Sequence, residues 1–76
     1  MMQLSAVIRR EGGQYVAWCP EVDVASQGPS VEVAVANLRE AVELYLEDED
    51  AIRPEGSPLI TTLEVRDGQV AGSVGA

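Results

Sequence analysis

The sequence predicts an α+β fold in the order β-β-β-α-β, an antiparallel-rich sheet with one long helix packed on one face. Three observations carry this. Val31, Ala34, Val35, Leu38, Ala41, Val42 and Tyr45 recur at i, i+3, i+4 and i+7 spacing, which is one stripe of a 3.6-residue period. Before them, two runs of β-type composition flank Gly12-Gly13, a two-residue hairpin signal. After them, residues 59–65 (LITTLEV) alternate in polarity between a loop with two prolines and an Asp-Gly turn.

The elements follow in order. Residues 2–10 (MQLSAVIRR) read as a strand with Leu4, Ala6 and Ile8 on one side and Gln3, Ser5 and Val7 on the other. Residues 15–19 (YVAWC) form the return strand. Tyr15, Ala17 and Cys19 oppose Val16 and Trp18, so both sides are apolar and the strand is expected to be central and at least partly covered on both. Pro20 ends it, because proline has no N–H for the ladder. Residues 24–27 make a short third strand, stopped by Gly28-Pro29. Ser30 is the N-cap of a helix over residues 30–50, with Glu32 favoured by the dipole in its first turn. Val33 stands where a capping box needs Glu or Gln. Glu47, Asp48, Glu49 and Asp50 put four carboxylates at the negative end of the dipole, so fraying is expected there. Residues 51–58 are a loop, and residues 59–65 return to the sheet as a fourth strand. Residues 1–71 are read as one domain and residues 72–76 as a flexible tail.

Composition narrows the function classes. Seventy-six residues allow one small domain whose core must come from Val, Ile, Leu and Ala, since aromatics are 4%. So small a core has little stability to spare, and association into a homo-oligomer, a dimer or tetramer, is expected. Thirteen Asp and Glu against five Arg and no Lys leave a net charge of −8. That balance repels phosphate and suits a basic protein partner, so no direct nucleic-acid binding is expected. The bland alternative is that the charge only maintains solubility.

A single Cys19 allows no disulfide framework and no zinc cluster, and fits a buried small side chain in a reducing setting. No leader peptide and no membrane span is read, so a cytoplasmic location is expected.

Catalytic candidates are sparse. The chain has no His, so Cys19 and the serines lack the commonest activating base. Glu21 with Asp23, and Asp48 with Asp50, are carboxylate pairs that could hold a hard cation, but neither has calcium-loop spacing; solvated acidic residues are the simpler reading. No phosphate loop is present, and the three aromatics make no base-stacking platform. Neither a metal nor a cofactor is expected, and binding or assembly is favoured over catalysis.

Cys19-Pro20-Glu21, Gln27-Gly28 and the helix from Ala34 to Glu47 (A-x-x-N-L-R-E-A-V-E-L-Y-L-E) together resemble the HicB family of antitoxin-like proteins, over about half the chain. The resemblance implies a partial RNase H-like β-β-β-α-β domain that lacks that fold's nuclease carboxylates. It implies binding to a small basic RNA-cleaving toxin of HicA type. Many such antitoxins carry a C-terminal DNA-binding domain; no helix-turn-helix or ribbon-helix-helix segment follows the fourth strand in this sequence. The connection at Val22-Asp23-Val24 is also tighter than in many family members. The expected partner surface is the acidic outer helix face and its carboxy end: Glu40, Glu43, Glu47 and Asp48. The alternative is a stand-alone homo-oligomer with a structural or regulatory role, without toxin or DNA binding.

Overall fold

A computed structural model describes residues 1–68. It contains three strands and one helix: β1 (Val7–Glu11), β2 (Gln14–Cys19), β3 (Val24–Gly28) and α1 (Val31–Leu46). The strands form one antiparallel sheet in the order β1-β2-β3, so the apolar β2 is central as its composition predicts. The expected tail at residues 72–76 lies outside the described residues.

Register explains the layering. In β1 and β2, Glu11 pairs with Gln14, so Gly12-Gly13 is a two-residue hairpin loop. Gly12 takes φ +61, the left-handed value that the first position of a type II′ turn requires. Ile8 lies opposite Ala17, and Ser26 lies opposite Ala17 from the other side. Tyr15 pairs with Gly28, and Cys19 with Val24. These positions share the face that meets the helix, because directly paired residues point to the same side.

On the helix, Ala34, Leu38 and Val42 are buried, and they join Ala17, Cys19 and Val22 as the core. Val35, Ala41, Tyr45 and Leu46 are half-buried at its rim. Val31, the first member of the predicted stripe, is exposed.

The helix starts as predicted. Ser30 has extended backbone, and its Oγ accepts from the Val33 N–H at 3.1 Å. It packs over β3 and β2. Gly28 permits the close approach: a Cβ there would lie 2.7 Å from Val33 Cγ1 and 2.8 Å from the Ala34 backbone nitrogen. Asn37 Nδ2 fastens the same contact by donating to the Gln27 carbonyl at 2.9 Å.

Four expectations are corrected. The first strand does not run from residue 2; it begins at Val7, because Ser5 turns inward to a side-chain partner described below. The helix does not reach Asp50 but stops at Leu46. The fraying expected of Glu47 to Asp50 is replaced by an ordered turn. Asp48 Oδ1 accepts from the Asp50 N–H at 2.8 Å, Tyr45 Oη accepts from the Ile52 N–H, and Arg53 Nη2 donates to the Leu46 carbonyl. Arg53 thereby supplies the positive charge that the last turn itself lacks. Finally, residues 59–65 form no strand within the single chain: they pair with none of the three strands, and their side chains are exposed.

Among the described residues no helix is long and apolar enough to cross a membrane.

Candidate partner-binding surface

The helix has two sides of opposite character. Its buried residues Ala34, Leu38 and Val42 face the sheet. Glu40, Glu43 and Glu47, at i, i+3 and i+7, fall on one stripe about 180° around the axis from that core, and all three are exposed. At about 1.5 Å rise per residue, their Cα atoms step along roughly 10 Å of the axis. None of these three side chains has a hydrogen bond or ion pair within the described chain. Asp48 is also exposed but differs, since one of its carboxylate oxygens is committed to the turn after the helix. The four predicted partner-facing carboxylates therefore form three free groups on the helix and one that also shapes its exit.

The carboxylate pair Glu21 and Asp23 is divided by the backbone. Asp23 adopts φ +56, a value that Asp tolerates better than most residues, and its Oδ1 accepts from Trp18 Nε1 at 2.9 Å. Glu21 turns the other way. Its Oε1 accepts from the Ser5 N–H at 3.0 Å, its Oε2 from Ser5 Oγ at 2.5 Å, and Cys19 Sγ lies 3.4 Å from Oε1.

The hydrogen bond from the Ser5 hydroxyl holds the Glu21 carboxyl below its ordinary value. Burial raises the Cys19 thiol, which makes it a poor nucleophile. Glu21 is thus a staple between the amino-terminal segment and the end of β2. The sequence reading, which took it as a solvated acid or half a cation site, missed this role. A signal existed in Ser5, a hydroxyl flanked by Leu4 and Ala6 that needs a partner once it turns inward. Among the described residues, no group of three or more Cys, Asp or Glu side chains converges where an ion could be held.

Two apolar surfaces are left open. On the sheet face away from the helix, Val7 and Val16 are half-buried, and Trp18 is 41% exposed. β2 is thus covered on the helix face and only partly on the other, within the expectation of at least partial cover on both. On the other face, the helix lies over β3 and β2, and the sandwich gapes on the β1 side. A cleft of about 460 Å³ opens there between the amino-terminal segment and the helix, with Leu4, Cys19, Leu38, Val42 and Leu46 in its walls and Glu43 at the border with the acidic stripe.

No family model matches the chain, and no solved structure matches it. Over 51 residues it is 43% identical to a UPF0150 protein of Helicobacter pylori strain J99, an alignment spanning 66% of this chain and 71% of that protein. At that identity and coverage, the chain belongs to the UPF0150 family.

Proposed function

We propose that the chain is a non-catalytic protein-binding module of the HicB antitoxin type, acting in the cytoplasm without cofactor or metal. It would bind a small basic ribonuclease toxin of HicA type and cover its active surface. The observation that carries this reading is the free acidic stripe Glu40, Glu43 and Glu47, extended by Asp48. The three glutamate carboxylates are not used by the fold. They stand opposite the core on a rigid helix, and an enzyme that grips RNA must present cationic groups that such a stripe can engage. With a net charge of −8, encounter with a basic partner is accelerated and encounter with RNA is opposed. The resemblance carried by Cys19-Pro20-Glu21, Gln27-Gly28 and the helix supports the same class.

The test is co-expression with the small basic product of a neighbouring gene. A complex on gel filtration and suppressed RNA cleavage are expected. Replacing Glu40, Glu43 and Glu47 together by Lys is expected to weaken binding by about 10- to 100-fold, with the wild-type affinity falling as salt rises. Asp48→Asn, which keeps an acceptor for the Asp50 N–H, separates charge from turn structure. Absence of a complex with full toxicity retained overturns the reading.

A further inference from the structure

We propose that residues 59–65 are an exchanged strand: they leave their own body and lie beside the amino-terminal segment and β1 of a second copy, over that copy's open cleft. The inference stands apart from the antitoxin reading and survives its failure.

Four features of the single chain converge on it. First, residues 59–65 (LITTLEV) have the β-branched composition and alternation of a strand, yet pair with nothing in their own sheet. Leu59 is 100% and Leu63 78% exposed, and Ile60 and Val65 are also open. Four large apolar side chains on one short exposed run are a surface waiting for cover.

Second, the sheet offers a matching vacancy. β1 is an edge strand, and the cleft lies next to the amino-terminal segment that leads into it, walled by Leu4, Leu38, Val42 and Leu46. A strand placed there gains ladder hydrogen bonds from the edge. It can turn Leu59, Leu63 and Val65, which share one side, onto the apolar walls.

Third, the exit from the helix points the segment away. The Ile52 N–H is held by Tyr45 Oη, and Arg53 is held by the Leu46 and Ala51 carbonyls. Beyond this anchor, Pro54 and Pro58 bias Arg53 and Ser57 toward extended backbone, while Gly56 bends the chain between them at φ +79, so residues 54–58 span less than their extended limit of about 17 Å. The Cα radius of gyration is 16.6 Å, against about 11 Å for a compact chain of this length.

Fourth, among the described residues the core holds six buried apolar residues, two of them Ala and one Cys. A body this thin gains most from reciprocal exchange. In a two-fold pair each copy gives one strand and receives one, and no arm or cleft remains unfilled.

The experiment uses the full chain. Light scattering at 100 μM is expected to give twice the 8.1 kDa monomer mass, and Leu63→Asp is expected to return it to monomer. Because Leu63→Asp could also disturb folding, a cross-link provides the second arm. In a Cys19→Ala background, one chain carries Ala6→Cys and another carries Thr61→Cys. After the two are mixed through a denaturation and refolding cycle, a short bismaleimide is expected to join them into a covalent pair. The doubly substituted chain is likewise expected to cross-link between molecules. Three results overturn the exchange: a monomer at 100 μM, a cross-link closed within one molecule, or a dimer that survives Leu63→Asp. The last would move the interface to the open sheet face around Trp18.

Discussion

Residues 15–46 and residues 59–65 are similarly rich in apolar side chains, and they end in opposite states. The first stretch contributes every residue of the buried apolar core; the second contributes none. The difference is not composition. β2 has a neighbour on each edge and a helix over one face, whereas residues 59–65 have no neighbouring strand among the described residues. An apolar strand is stabilised only where an edge and a face are both available, and α1, lying over β3 and β2, leaves both available at β1. The comparison separates what the single chain completes from what it leaves for another surface.

The completed half is most sensitive where the layers touch. Gly28 sits under the first turn of α1, and a side chain there meets backbone as well as Val33. Backbone cannot swing aside as a side-chain tip can. Gly28→Val is expected to destabilise by about 3 kcal/mol through overpacking, the largest effect in the molecule. In a domain whose whole stability is of order 5 kcal/mol, that lowers the thermal midpoint by roughly 15 °C, read by circular dichroism at 222 nm. A change of a degree or two would show that the helix does not rest on β3 as described.

How far the sequence could foresee this contrast depends on the range of the interactions involved. β2, the Gly12-Gly13 loop, the Ser30 cap and the Ala34-Leu38-Val42 stripe are local patterns, and each is where the periodicity puts it. Gly28 was legible as a strand stop but not as a close-approach site, because the atoms it must avoid belong to the next element. The end of α1 was misread for the same reason. The unfavourable carboxylates are local, but the Arg53 and Tyr45 contacts that organise the exit come from a loop folding back. Residues 59–65 alternate as a strand does, but alternation is a local pattern and does not supply a partner: no strand forms there among the described residues. Of the four predicted partner-facing residues, the structure sets Glu40, Glu43 and Glu47 on one free stripe and gives Asp48 a second task.

Glu21 gives a smaller and pH-dependent test of the completed half. Its carboxylate accepts the Ser5 N–H and hydroxyl, and those bonds favour the charged form. The folded-state pKa is therefore below the ordinary value of 4.5. A carboxyl depressed on folding stabilises fully above its unfolded pKa and loses that contribution as pH falls through the folded one. Glu21→Gln keeps the shape but not the charge, and is expected to cost about 1 kcal/mol at pH 7, the site being partly open to solvent. Urea midpoints of the two proteins at pH 7 and at pH 3 check this. The gap is expected to narrow at pH 3, where the wild-type carboxylate is itself becoming protonated. An equal gap at both pH values would mean that packing, not charge, is what the substitution removes.

The smallest effect belongs to the open half, and it depends on concentration. Leu59 is fully exposed in the single chain, so Leu59→Ala removes no buried contact from the monomer. Below the dissociation constant of any pair, its urea midpoint is expected to match the wild type within about 0.5 kcal/mol. Above it, the exchanged strand buries Leu59 against a second copy, and the same substitution then costs stability that rises with protein concentration, since unfolding is linked to dissociation. Midpoints measured at 0.5 μM and 200 μM separate the two regimes. A loss of 2 kcal/mol or more that is independent of concentration is the size expected of truncating a buried leucine. That result would place Leu59 in the core of its own chain and erase the distinction between the two halves.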